Sequence, residues 1–418
     1  MRKRAIVALV AAGSALSLAA CSGGQQSAQS EESGSGGVTI TYSNFISNGG
    51  NEENLQTIVD AFEKENPGIT VDVQTTDYAN YFTQLQTDLS AGTQADVFDV
   101  DAGSFPNLQA DGVLAALDGV DASAYRDSVL QTYQVDGAQY GLPTSFSTVL
   151  LFYNKDLFDA AGIAYPDDTW TWKDEQAAAE KLTDAANGVW GDYQPISYNE
   201  YYKALAQTGG SFLSADGSAA AFGDAAGVRA AQWLTAKSAT TMPTAEDGAG
   251  TPDFDLDLFK AGKLAMWHTG NWMISLVGDL PFDWDIAVEP GDTQKASAVF
   301  SNAVAVSAQS QHAEAAQKFA TFLSSSSVMV STRLDAGWEL PATSDESALS
   351  PYLEAGTPAN RQAVFDSLDS IVSSPVLGPN SQEIQDDVTN ALTEIAAGRS
   401  DASTAVPTLA DDVSASLK

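Results

Sequence analysis

The chain has 418 residues, 44% of them hydrophobic, and a formal charge of −36. That length exceeds one ordinary hydrophobic core and predicts two lobes or domains, and the apolar content excludes general disorder. The charge excludes nucleic acid and an anionic membrane surface as direct partners, since either would repel it, and suits a neutral or cationic ligand.

Taken in chain order, the N-terminus speaks first. Arg2-Lys3-Arg4 is a basic start, and 5–18 is an apolar stretch too short for a comfortable membrane span. It runs into Leu18-Ala19-Ala20-Cys21, which resembles the bacterial lipobox, in which the Cys is lipidated and becomes the new first residue. Cys21 is the only cysteine, so no disulfide forms, and an acyl anchor on it would tether the chain without spanning. Residues 22–37 are Ser, Gly, Gln and Glu apart from Ala28, the composition of a flexible tether.

Beyond the tether, 38–42 alternates β-branched residues and predicts a strand. Leu55, Ile58, Val59 and Phe62 predict a helix over 51–66, stopped by Pro67-Gly68. A strand over 69–74, a helix over 78–91 closed by Gly92, and a strand over 96–101 follow, the order of βαβ units and a parallel sheet. In the run YGLPTSFSTVLLFYNKDLF (140–158), Gly141 and Pro143 read as a turn and 148–153 as a buried strand. Asn154 would cap a helix over 155–161 that Gly162 ends. Later come a Trp-rich loop at 169–172, a helix through Leu182, a Gly/Tyr-rich segment, and helices near 225–237 and 255–262. A short strand at 285–288 leads into Glu289-Pro290-Gly291-Asp292, a second crossing. A strand over 298–306 returns to the first lobe, and a helix over 314–323 follows it. Val388, Leu392 and Ile395 predict a late helix that packs back on the second lobe.

Several of these segments resemble one family. F-E-K-E-N-P-G-I-x-V over 62–71 and L-x-A-G-T-Q-A-D-V-F over 89–98 resemble the start of the N-terminal lobe of extracellular solute-binding proteins. The commoner form has Pro where Ala95 stands. The 140–158 run resembles that family's first interlobe crossing. Ala265-Met266 with Gly270-Asn271-Trp272 resembles its A-M…G-x-W segment, and Gly337-Trp338-Glu339-Leu340-Pro341-Ala342 its segment before the third crossing. The resemblance is to the large sugar-binding branch, like maltose-binding protein, that serves ATP-driven ABC importers. It implies an α/β periplasmic-binding-protein type II fold: two lobes, each around a mainly parallel sheet, three interlobe crossovers and a ligand cleft between them. The expected division is a signal peptide over 1–20, lipidated Cys and linker over 21–37, an N-terminal lobe over 38–144 plus 290–343, and a C-terminal lobe over 145–289 plus 344–418. The expected protein is a monomer without cofactor or metal, lipid-anchored at the extracellular face of the cell membrane. It closes by hinge motion around an oligosaccharide and delivers it to ABC transporter permease subunits.

A sugar offers hydroxyls on its rim and C–H groups on its faces, so its site needs flat aromatic rings and planar polar side chains. In open α/β sheets such groups gather at the carboxyl ends of strands. After the first strand stand Asn44 and Phe45, the latter either a stacking ring or a loop packing residue. Asp99 and Asp101 end the third strand two residues apart, on one face, with Asp101 preferred as a hydroxyl acceptor. Tyr78 and Tyr81 follow the second strand. By the resemblance Trp272 is the stacking platform, beside Asn271 in a Gly turn; Trp267 serves either core or ligand. Trp338 and Glu339 pair a ring with a carboxylate, Tyr198, Asn199, Tyr201 and Tyr202 offer an aromatic wall represented by Tyr201, and Ser145 and Asn302 sit at the mouth. His268 has no second His, Cys or carboxylate at ligand spacing, which argues against a metal. No G-x-S-x-G, P-loop or H-E-x-x-H occurs. The rivals are a secreted, lipid-anchored glycoside hydrolase and the same fold with a non-sugar solute. A phosphate ligand would want clustered Arg, whereas Arg126, Arg229, Arg333, Arg361 and Arg399 are scattered in sequence.

Overall fold

The structure is a computed structural model that describes residues 37–417 apart from Gly49 and Pro252; the expected signal peptide and Cys21 lie outside them. Its strands are β1 (Val38–Asn44), β2 (Ile69–Thr75), β3 (Val97–Asp101), β4 (Gln134–Val135), β5 (Ala138–Gln139), β6 (Gly141–Asn154), β7 (Met266–Gly270), β8 (Trp284–Ala287), β9 (Ser297–Val306) and β10 (Ile371–Val372). All but β4 and β5, which pair with each other, belong to one sheet of order β2-β1-β3-β9-β6-β7, with β10 beside β9 and β8 beside β6.

The first three strands are parallel, as the βαβ pattern requires. Leu55, Ile58, Val59 and Phe62 are the buried stripe of the helix Glu52–Glu65. They meet Ile40, Tyr42, Val97, Val304 and Phe319 in one core on this part of the sheet. Phe98, Val100, Tyr81, Leu85, Phe105 and Ala303 form a second core. Asn154 caps the helix Lys155–Ala161 by accepting from the Leu157 N–H at 3.2 Å, and Gly162 ends it in the left-handed region at φ 65°.

Two expectations change. Gly141 and Pro143 do not make a turn: they lie within β6, whose fourteen residues are all buried. Its register with β9 shifts between Pro143 and Ser145, and such an irregularity is where a strand tolerates a residue without an N–H. One continuous strand therefore makes the first crossing. Residues 141–148 pair with β9, and 149–154 then pair with β7 on one side and β8 on the other. The second correction concerns sheet direction. β7 and β8 run antiparallel to β6, so this part of the sheet is not mainly parallel. Its strands are covered on both faces, and a buried antiparallel strand reads like a parallel one in an apolar run.

Around this second region the core is separate. Phe152, Phe259, Trp267, Trp284 and Ile286 form one group, and Leu151, Tyr153, Phe158 and Met266 another. The Gly/Tyr-rich segment contains the helix Tyr198–Gln207, which packs with Ala230, Leu234, Ile384, Val388 and Leu392. β9 is the second crossing, with Ala298 in this helical core and Val304 in the first. The third lies near Leu340 and Thr343, which bridge to Phe146 and Tyr125. No helix among the described residues is long and apolar enough to cross a membrane.

Candidate functional site

Asp101, Asn302 and Ser145 face one another across three adjacent strands, Asp101 opposite Asn302 between β3 and β9, and Asn302 opposite Ser145 between β9 and β6. Glu339 closes this row. Its Oε2 accepts from Asn302 Nδ2 at 3.0 Å and from the Ser145 hydroxyl. Asp101 accepts from the Tyr78 hydroxyl at 2.9 Å and from the Ser104 N–H at 2.6 Å. The Tyr78 ring stands edge-on to Phe45, with centroids 5.1 Å apart. Five residues far apart in the chain thus form one polar row with an aromatic end.

Asp99, two residues before Asp101, is spent differently. It is fully buried and accepts from the Tyr42 hydroxyl at 2.6 Å and from the Phe45 and Ile46 N–H groups at 3.2 Å each. Burial pushes its carboxyl up to about 7 against the pull of those bonds and of Arg333. Asp99 therefore fixes the turn after β1, and the Ile46 carbonyl accepts from the Trp338 indole N–H at 3.1 Å.

On the other side, β7 ends in Gly270. Asn271 locks the turn onto β6: its Oδ1 accepts from the Thr148 N–H at 2.7 Å, and its own N–H donates to the Thr148 carbonyl at 3.0 Å. The Trp272 ring lies so close over Gly270 that a Cβ there would come within 1.9 Å of it. Trp272 remains 39% exposed, its edge against Phe300 at 5.5 Å between centroids. A cavity of about 930 Å³ takes in Trp272, Asn271, Ser147, Trp338, Glu339 and Tyr352. An exposed indole, a half-buried indole and an amide–carboxylate–hydroxyl set around such a volume suit a polyhydroxy ligand.

The profile of bacterial extracellular solute-binding proteins matches residues 48–330. The chain belongs to that family. The galactooligosaccharide-binding protein of Bacillus subtilis is 27% identical over all of this chain and 98% of its own length. An ABC substrate-binding protein of Listeria monocytogenes, solved with cycloalternan, is 40% identical, with TM-score 0.79 over 90% of this chain and 98% of that one. The cyclic alpha-maltosyl-1,6-maltose binding protein of Arthrobacter globiformis shares the fold at TM-score 0.77 and 22% identity, covering 92% and 100%.

Three expected ligand residues of this solute-binding protein are placed elsewhere. Trp267 is fully buried, its ring 5.3 Å from Phe259 and its Nε1 donating to Asp255 at 2.9 Å. β7 is buried along its whole length, so Trp267 within it is a core residue. Tyr201 is also fully buried, edge-on to Phe222, with its hydroxyl donating to the Gly227 carbonyl at 3.3 Å. Asn44 is buried and its amide is consumed locally, donating to Thr75 Oγ1 at 3.0 Å and accepting from Ser47 Oγ at 2.7 Å.

Residues that the sequence reading passed over line the cavity. Ser147 pairs across the sheet with Phe300, whose ring steadies Trp272. Tyr352 carries the Arg361 guanidinium over its ring at 4.7 Å, and Trp338 carries Arg333 at 4.0 Å. Arg333 and Arg361 border the same cavity, so two of the arginines scattered in sequence converge in space. Nothing in local spacing signals this, because each sits in a different segment after β9.

His268 also has more company than its neighbours in sequence suggest. Its Nδ1 is 2.6 Å from Glu289 and its Nε2 3.0 Å from Glu175. The Lys237 ammonium lies 2.6 Å from Glu175 and 2.5 Å from Asp192, and Lys203 bridges Glu200 and Glu289 at 2.7 and 2.5 Å. Glu175, Asp192 and His268 offer three ligand atoms within 4.8 Å, contrary to the expectation that no carboxylate would cluster there. Lys237 already supplies a cation to both carboxylates. Burial opposes the charge on His268, but Glu175, Asp192 and Glu289 outweigh it and raise the imidazole to about 9.

Proposed function

We propose that this solute-binding protein takes a compact, cyclic oligosaccharide in the cleft and hands it to the permease of an ABC importer. The observation that carries this reading is the exposed Trp272 indole bordering a cavity of about 930 Å³ together with Trp338 and Glu339. The relative at 40% identity, solved with cycloalternan, supports the ligand class. The ligand set is Trp272, Asn271, Trp338 and Glu339, with Ser145, Asn302, Asp101, Tyr78 and Phe45 extending it along the polar row. The lobes are 38–144 plus 290–343 and 145–289 plus 344–418, a division supported by the separate apolar cores around Ile40 and Val304 and around Leu151 and Met266. The protein is a monomer that binds without turnover, has no nucleic-acid partner, and is anchored to the outer membrane face only through lipid on Cys21.

The test is a titration of the purified full chain with cycloalternan, maltotetraose and glucose, read by tryptophan fluorescence, with product analysis alongside. The expected result is saturable quenching or shift with cycloalternan and no new sugar. Silence toward all three would remove the carbohydrate reading, and released glucose would make the protein a hydrolase.

A further inference from the structure

Granting the carbohydrate reading of the cleft, on which this inference rests, Arg333 has a role that packing alone does not explain. It stands in the last turn of the helix Ser327–Ala336 and is 1% exposed. A buried guanidinium normally has direct acceptors, because stripping water from an unpaired charge is among the largest penalties in folding. Here Nε and Nη1 meet no hydrogen-bond acceptor among the described residues. The guanidinium carbon lies 4.0 Å from the centroid of the Trp338 ring. Glu339, Tyr42 and Asp99 act on it through their fields.

The backbone enforces this arrangement. Gly337 leaves the helix in the left-handed region at φ 61°, and the Trp338 N–H then donates back to the Arg333 carbonyl at 3.0 Å. The ring is pinned at its far end by the bond from Nε1 to Ile46. The next residue, Glu339, holds Asn302 and Ser145.

We propose that Arg333 is a positioning residue of the binding site: its guanidinium covers one face of Trp338, leaving a ligand ring only the opposite face, and its charge balances the Glu339 and Asp99 carboxylates beside that ring. Lysine cannot substitute fully, since it lacks the planar group that stacks on an indole.

The experiment compares cycloalternan affinity for the full chain and for Arg333→Met and Arg333→Lys at pH 5.5 and pH 8. Arg333→Met is expected to bind at least ~30-fold more weakly at pH 8. The deficit shrinks at pH 5.5, where the buried Asp99 carboxyl, pushed up to about 7, is protonated and needs no cation. The groups facing this charge set are Tyr42 on β1, Asp99 and Asp101 on β3, Tyr81 on the helix Tyr78–Ala91, and Glu339. Arg333→Lys should fall between, retaining charge without the stack. In ligand-free protein, Arg333→Met should shift tryptophan emission, and not do so when Trp338 is already Phe.

Wild type failing to bind cycloalternan refutes the cyclic-oligosaccharide reading of the cleft on which the inference rests. Wild type binding while Arg333→Met binds equally well refutes the role of Arg333. A pH-independent loss, equal in Met and Lys variants, assigns Arg333 to packing and also overturns the proposal. So does tighter binding of a uronic-acid oligosaccharide than of cycloalternan, which would give the guanidinium to the ligand. Should Arg333→Met show no cooperative melt, the Arg333→Lys affinity decides: a value equal to wild type overturns the proposal.

Discussion

Trp272 owes its place to a missing side chain and one edge contact. Gly270 gives the indole room to lie over the backbone, and Phe300 stops it from the side. Trp272→Ala is expected to weaken sugar binding by ~30-fold, about 2 kcal/mol, the range of an aromatic anchor. The same change should move the melting temperature little, because 39% of the residue is already in water. Titration calorimetry and a thermal melt on one sample separate the two effects. Gly270→Ala tests the geometry without touching the ring: its Cβ would meet Trp272 within 1.9 Å, so the indole must swing away. Affinity should drop by about tenfold or more, and unchanged affinity would mean that the ring's seat over Gly270 is irrelevant. Trp267, five residues earlier, shows the limit of a residue-by-residue reading. Both are tryptophans in one motif, but only burial separates core from cleft.

At the scale of elements, the ion network around His268 joins the helices Trp172–Leu182 and Tyr198–Gln207 to β7 and to the crossing after β8. β7 in turn delivers Asn271 and Trp272, so this network sets the base from which the site projects. A buried pair is weak evidence of net stabilisation, but removing one partner strands the other charge. His268→Gln should therefore cost about 3 kcal/mol of stability, measured by urea unfolding at pH 7. The pH dependence has a defined sign. The folded imidazole titrates at about 9, above its ordinary value near 6.5, so its contribution is complete below ~6.5 and fades as pH rises through 9. Wild type should lose stability over that window relative to His268→Gln. Parallel stability curves from pH 6 to 10 would show that His268 is not held as an imidazolium. A sequence reading sees a lone histidine here, since Glu175, Asp192 and Glu289 come from three other segments.

For the whole molecule, β6 and β9 are the shared spine. Each contributes to both apolar regions, so relative motion has to pass through two strands and the segment near Leu340. A ligand touching Trp272 on one side and Glu339 on the other gains most when those sides approach. Saturating cycloalternan should lower the radius of gyration in small-angle scattering, by about an ångström for a closing cleft of this size. An unaltered profile under proven saturation would exclude hinge closure. The formal charge of −36 bears on the same scale, since it leaves a neutral sugar unrepelled and makes salt an uninformative variable for its affinity.

By itself the sequence determined the family, the order of elements and four residues that border the cavity, Asn271, Trp272, Trp338 and Glu339. Those features rest on local rules: helical spacing around Phe62, the cap at Asn154, and motifs around Gly270 and Trp338. Tertiary structure alone decided which side chains are free to act. Asn44, Tyr201 and Trp267 have suitable chemistry, but packing and hydrogen bonds already consume it. Conversely, Arg333 lies on Trp338 because the helix end at Gly337 turns the chain back, and Phe300 meets Trp272 because β9 runs beside β6. Periodicity records whether a residue belongs to a face; it does not record what covers that face. Some of the contacts that place the site come from chain a hundred or more residues away, as with Asn271 on Thr148 and Glu339 on Ser145.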